Sequence, residues 1–520
     1  MQLSIRRAIV TLISLSMLLA LFGAAFAADT GEYKDEMVIR LAADIENLHP
    51  AHSIGLLTYY VHTQVFDSLA KYNPDGVAIP SLADRWDISE DGLTWTVKIH
   101  PDAKYSDGGK VTAQDVKYVY DVTLDPKTAS PRRTKIESMV EGIEVLDDET
   151  IAFKLKGPAS LFPDHCFFLP IAKPESLEKY GDNYNNHTVG IGLFEVEKWI
   201  PGERIILRRN EHHHRAVAAS PRVVFKIIPD AMTAQIELEE NAIDLLMDVQ
   251  QSDLDRFKDA GRIKLVQSAP LNLRWLIFNF NVPPFDDLDI RKAITHAIDR
   301  DAIAETILEG IGKKSDGHLP DQYPQYEPNT VPYDYDLAKT EASMADAGYA
   351  KDAQGFWAKD GRRLVVPLIH QPREPEAQIM EAVQSYLTEA GFEAKLQQLE
   401  RGQFIKELRE KDKFGVYFLS IGQDYSDPIG FLDLVFYKNG VWNHSGYSND
   451  RVNEIIETTL RITDQPERTK LFKEAQRVIK EEYPAVPLCI LFNQAGINAK
   501  LEGYTHSAAW LDLTNARVAK

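Results

Sequence analysis

The stretch "LVVPLIHQPREPEAQIMEAVQSYLTEAGFEAKLQQLERGQFIKELREKDKFGVYFLSIGQDYSDP", Leu364 to Pro428, changes its hydrophobic period four times. Leu364 to Ile369 is a short apolar run, as a buried strand is. From Pro375 to Ala390 the apolar residues Ile379, Val383, Tyr386 and Leu387 recur at helical spacing, and Gly391 stops the helix. Phe392 to Leu399 reads as a second strand, Gln403 to Glu410 as a shorter helix and Val416 to Ile421 as a third strand. The spacing predicts a β-α-β-α-β unit, whose right-handed crossovers make its strands parallel. Loops leaving the carboxyl ends of such strands share one edge of the sheet, where open α/β folds bind ligands.

Two of those loops carry charge. "HQPREPE" holds Arg373, and "GQDYSDP" holds Asp424, Tyr425 and Asp427. Two carboxylates flanking a bond is the glycosidase arrangement, so an enzyme using Asp424 and Asp427 is one reading. Asp427, however, precedes Pro428 and the apolar run "IGFLDLVF", which suits a helix cap with proline at the first helical position. Asp424 has no such local duty, and beside Tyr425 at a strand end it suits an ammonium group. Arg373 stands just before a helix start, where the dipole disfavours positive charge. An arginine there can clamp a carboxylate through two parallel hydrogen bonds, or pair locally with Glu374 or Glu376. If the first and third strands are neighbours, their ends lie about 5 Å apart and the two charges face one cleft.

Outward from this unit, the amino terminus has a basic start (Arg6, Arg7), an apolar run from Ala8 to Phe22, and the small-x-small triplet Ala25-Phe26-Ala27. That is the pattern of a cleavable signal peptide, residues 1–27, and it predicts an exported, periplasmic chain. No later run approaches the roughly 18 apolar residues of a membrane helix. About 490 mature residues exceed one hydrophobic core, so several domains are expected. The net charge of −20, two units more negative without Arg6 and Arg7, opposes binding to nucleic acid or anionic lipid. Cys166 and Cys489 sit in apolar runs, where buried free thiols are expected over a disulfide.

Met37 to about Leu69 reads as a strand, a polar loop and a helix. Thr94 to Ile99 alternates polar and apolar residues between Asp-Gly turns, and "GIEVLDDETIAFKL" repeats the pattern, giving a β-rich insert of about 120 residues. In "FDDLDIRKAITHAIDRDAIAETILEGIG", Ile290, Ile294, Ala297 and Ile298 form one helical face, and Asp299 caps a second helix that ends at Gly310. Chemistry-bearing motifs are sparse. "NEHHHRA" places His212 to His214 together, and in an extended stretch His212 and His214 share a side, but spacing supplies no third metal ligand, so a solvated loop is expected. Gly-x-Ser-x-Gly, His-Glu-x-x-His and Cys-x-x-Cys are all missing from the sequence, and "GIGKKS" fails the phosphate-loop pattern.

"LADRWDISEDGLTWTVKIHPDAKYSDGGKVTAQDVKY" (Leu82 to Tyr118) resembles the signature region of the family 5 extracellular solute-binding proteins, the peptide- and nickel-binding receptors of ABC importers. "VGIGLFEVEKWIPGERIILRRN", "PFDDLDIRKAITHAIDRDAI" and "SGYSNDRVNEIIETTLRITDQPERTKLFKEAQRVIKEEYPAVPL" resemble the same family in the same order. The resemblance implies an α/β, periplasmic-binding-protein-like two-lobe fold (class II, cluster C) with an extra β-rich domain. Lobe I would take residues 28–65, 190–265 and 490–520, the extra domain 66–189, and lobe II 266–489. It also implies site residues: Asp424 for a peptide's amine, Arg373 for its carboxylate, the backbone of Ser53, Ile54, Gly55 and Leu56 for strand-like docking, and Phe404 lining the pocket. The chain departs from the family at Gly190-Ile191-Gly192-Leu193-Phe194, where Gly-Thr-Gly-Pro-Tyr is frequent, and at "NEHHHRA", where an aromatic-rich stretch is usual.

The expected function is therefore capture of a dipeptide or oligopeptide and its delivery to a permease and ATPase complex. The receptor would be a monomer with no cofactor and no chemistry on its ligand. Its rivals are a receptor for a nickel chelate, opine or oligosaccharide, and a secreted hydrolase.

Overall fold

A computed structural model describes residues 32–52, 54–73, 78–247, 249, 253–258, 261–268, 272–327, 332–422, 427–507 and 510–520. The chain opens with strand β1 (Glu36–Leu41) and helix α1 (Leu56–Val65). It then builds a four-stranded antiparallel sheet from β2 (Ala83–Ile88), β3 (Thr94–Ile99), β4 (Val140–Asp147) and β5 (Thr150–Leu155). The alternation along β3 does what its pattern dictates: Trp95, Val97 and Ile99 are buried while the residues between them are half-exposed. This segment has no separate core. Its Trp95, Phe153 and Phe162 belong to one apolar cluster with Met37 and Ile39 of β1.

A seven-stranded sheet follows, adding β6 (Phe194–Ile200), β7 (Arg204–Arg209), β8 (Arg222–Ile227), β9 (Leu245–Leu246) and β10 (Ile263–Ser268) to β1. The chain next enters a six-stranded sheet through β11 (Asn272–Phe278) and β12 (Gly312–Lys314). Here the decisive stretch folds as its periodicity requires. Strand β13 (Val365–His370), helix α2 (Glu376–Glu389), strand β14 (Glu393–Gln398), helix α3 (Arg401–Glu410) and strand β15 (Val416–Gly422) follow in order. Ile379, Val383 and Leu387 of α2 are fully buried. Strand β13 is parallel to both β14 and β15, so the first and third strands are neighbours. The chain finishes with β16 (Ala485–Leu491) in this sheet and β17 (Asn493–Asn498) back in the first.

Two crossings therefore join the lobes, Ser268 to Asn272 and Leu491 to Asn493, the second a single residue, Phe492. Register shows which sheet edges face this hinge. Gly422 at the end of β15 lies opposite Asn272, where β11 begins, so the carboxyl end of β15 points at the crossing. In the other sheet β9 runs toward the start of β17 and is parallel to β1, so the carboxyl ends of β1 and β9 also point there. Both lobes turn the ligand-binding edge of their parallel strands to the same gap. No described helix is long and apolar enough to cross a membrane.

Candidate functional site

A cavity of about 340 Å³ opens on the first lobe beside the hinge. Arg40 and Ala42 reach it from the end of β1, Leu56, Leu57 and Tyr60 from α1, Met247 and Val249 from the segment after β9, and Phe492, Asn493 and Gln494 from the hinge. Its walls are mostly apolar, with one guanidinium and two amides, and its size falls in the range of small-molecule sites.

Of the residues singled out from sequence, Leu56 lines this cavity. It opens helix α1 and is 56% exposed, and Ile54 is 53% exposed beside it. Gly55 takes φ +95°, a region that favours glycine, and its carbonyl already accepts from Tyr59 N–H. The docking segment is thus a bend into a helix. Ser53, Asp424 and Tyr425 lie outside the described residues.

Arg373 is exposed on the loop after β13 and has no ion pair among the described residues. The local partner open to it, Glu376, is turned inward at the start of α2, where its carboxylate meets Arg274 at 3.5 Å. Arg274, a charge inside the apolar run of β11, also donates to Asn272 Oδ1 at 2.8 Å. Sequence reading missed it, although a lone arginine in "LNLRWLIF" was the available signal. The two loop-bearing strands are adjacent but not level. Ile369 pairs with Tyr417, so β15 runs four residues beyond His370, about 13 Å.

The carboxylates of "GQDYSDP" separate cleanly at Asp427. Its Oδ1 accepts from Ile429 N–H at 3.0 Å at the start of helix α4 (Ile429–Val435), and Oδ2 meets Arg468 at 2.6 Å. Both side chains are buried, so Asp427 is committed to folding at both oxygens.

Two expectations need correction. Phe404 does not line a pocket: it is 1% exposed and sits in the core with Leu408, Phe414 and Tyr417, because Phe404 and Leu408, four apart, share the face α3 turns to the sheet. Nor is the histidine run a solvated loop. His212 is exposed, but the side chains of His213 and His214 are 6% and 0% exposed and converge on Asp67, a third ligand-type group remote in sequence. Burial pushes the His214 pKa down to about 4, outweighing the pull of Asp67. Cys166 and Cys489 are both buried and free.

Two α/β lobes joined by two short crossings, with the carboxyl ends of their parallel strands turned to the hinge and a cavity on the first lobe's side of it, define a hinged binding protein. Residues 77–443 match the model of the bacterial extracellular solute-binding proteins, family 5 (middle part), and the chain belongs to that family. It is 26% identical over 498 residues, 91% of each chain, to the probable D,D-dipeptide-binding periplasmic protein DdpA of Escherichia coli. It is 25% identical to heme-binding protein A of Haemophilus influenzae over 85% of each chain. Among solved structures, the unliganded open form of the periplasmic murein tripeptide-binding protein MppA superposes with a TM-score of 0.83 at 22% identity, covering 94% of this chain and 98% of that one. DppA of Helicobacter pylori in complex with the peptide STSA gives 0.67 at 25% identity, over 94% and 99%.

Proposed function

We propose that the mature chain is a periplasmic receptor that captures a short peptide and hands it, unaltered, to an ABC permease and its ATPase. The observation that carries this reading is an exposed Arg373 at the binding edge of the second lobe, without an ion pair among the described residues, where the nearby buried carboxylate of Glu376 is already taken by Arg274. A guanidinium so freed suits a ligand carboxylate. The strand beside it feeds the loop that carries Asp424, the group proposed for the ligand's amine. Peptide-binding relatives and structures support the same ligand class. The apolar cavity at the hinge suits a peptide side chain, and the exposed bend at Ile54 to Leu56 suits main-chain docking. A hydrolase using Asp424 and Asp427 gains nothing from Asp427, whose oxygens are both engaged. The amino-terminal signal pattern supports export.

Calorimetry with modified dipeptides tests the assignment. Arg373→Ala and Asp424→Asn should each cost about 2–5 kcal/mol, roughly 30-fold to several-thousand-fold in affinity. A carboxamide peptide should bind wild type poorly and lose little more with Arg373→Ala; an N-acetyl peptide should behave so toward Asp424→Asn. Affinity for free dipeptides within about threefold of wild type in both variants overturns the peptide reading, and mass spectrometry showing turned-over peptide overturns the receptor reading.

A further inference from the structure

The loop between β7 and β8, residues 210–221, is built rather than loose. Asn210 is fully buried and donates from Nδ2 to the Gly192 carbonyl at 2.8 Å, while its Oδ1 accepts from His212 N–H at 2.8 Å. That anchorage sends the next two side chains inward. His213 Nε2 stands 3.2 Å and His214 Nε2 3.8 Å from Oδ2 of Asp67, which follows α1 by two residues. One ligand atom from each of the three groups can be chosen so that all lie within 4.8 Å of one another. Nitrogens and carboxylate oxygens around a tetrahedral zinc sit about 2.0–2.2 Å from the ion, hence about 3.3–3.5 Å apart. Two of the distances already approach that spacing.

The surroundings fit a cation as well. His213 Nδ1 lies 2.9 Å from the Ala216 carbonyl. The Ala216 N–H, 3.1 Å away, can also donate to Nδ1 and leave Nε2–H to donate to Asp67; a cation would select the other tautomer, in which Nδ1–H donates to the Ala216 carbonyl and the Nε2 lone pair faces the metal. His214 directs Nε2 at the Ser81 carbonyl, 3.1 Å away, while its Nδ1 is buried with no hydrogen-bond partner among the described residues. Coordination through Nε2, the nitrogen that approaches Asp67, would replace its hydrogen bond to Ser81. The three groups also come from two parts of the fold, the β7–β8 loop of the first lobe and the start of the β-rich segment.

We propose that Asp67, His213 and His214 form a divalent-cation site of zinc type, outside the hinge cavity, that clamps the β-rich segment to the first lobe. Water completes the coordination, with the His100 ring, 5.0 Å from that of His214, alongside. Two imidazoles and one carboxylate favour Zn2+, and Co2+ reports the same geometry optically.

The test uses the full mature chain without a histidine tag, stripped with chelator. Wild type should take up one equivalent of Co2+ with the intense visible bands of a four-coordinate site, Zn2+ should displace it, and Zn2+ should raise Tm by several degrees. Asp67→Asn and His214→Gln should each weaken binding at least tenfold and abolish the Tm shift, while His212→Gln and Arg373→Ala keep both. Dipeptide binding should be the same with and without Zn2+, which separates this site from the ligand cavity. Wild type that binds no Co2+ at 100-fold molar excess, or only with weak six-coordinate bands, overturns the proposal whatever the variants do. Metal binding that survives His214→Gln or is lost in Arg373→Ala overturns it too.

Discussion

Gly192 shows how little freedom single positions have. A Cβ there would lie 2.4 Å from the Gln64 carbonyl oxygen, and one at Gly190 would lie 2.1 Å from that of Val65. The end of α1 passes directly over this turn, so both glycines of Gly190-Ile191-Gly192 are kept while the residues around them depart from the family's usual choice. Backbone cannot retreat as a flexible side chain can. Gly192→Ala should therefore destabilise the protein by about 1–3 kcal/mol in chemical denaturation. Gly402, in the first turn of α3 with nothing within 4 Å of its Cβ position, is the control. Gly402→Ala should be neutral or stabilise by about 0.5–1 kcal/mol.

At the level of elements, periodicity made the β13 to β15 unit readable because each strand and helix there buries one continuous face. The apolar face of Ile290, Ile294, Ala297 and Ile298 and the Asp299 cap were readable for the same reason: both are local. Phe404 and the histidines were misread because neither burial nor convergence is local. Phe404 is a core residue by the packing of α3, and His213 and His214 meet an aspartate almost 150 positions away. Asp427 was half readable: its role at the start of α4 follows from the proline after it, whereas its ion pair with Arg468 needs the folded chain. Asp427→Ala should cost about 3–5 kcal/mol, since it strands a buried guanidinium, and calorimetric unfolding will measure it. Nearby, Asp164 of the β-rich segment accepts from the Tyr72 hydroxyl at 3.1 Å. Burial and the Asp427 carboxylate push its pKa up from 3.8 to about 7, against Tyr72 and Arg468. An acid raised in the folded state stabilises it when protonated, and that contribution is lost as pH rises from about 4 through 7. Wild type should therefore fall in Tm relative to Asp164→Asn across this window, with the gap constant above it. A gap independent of pH would mean that Asp164 stays ionised.

For the molecule as a whole, the consequence of two short crossings is a restricted motion. One crossing is Phe492 alone, whose N–H donates to the Ile311 carbonyl at 2.7 Å, and the two ends of the other flank it, Ser268 pairing with Asn493 and Asn272 Nδ2 lying 3.5 Å from the Leu491 carbonyl. Lobes joined this way can rotate about the paired segments but cannot separate. On the function proposed above, a ligand held by Arg373 of one lobe and by the cavity wall of the other would make its full set of contacts only when they approach, and so would favour the closed arrangement by its differential affinity. Saturating dipeptide should then reduce the radius of gyration in small-angle scattering. The Arg373→Ala variant, brought to saturation at higher concentration, should contract less, because it has lost a contact made from the second lobe. An unchanged radius in saturated wild type would remove the hinge from the mechanism while leaving the fold in place. Equal contraction in the variant would show that closure is driven from elsewhere in the cleft.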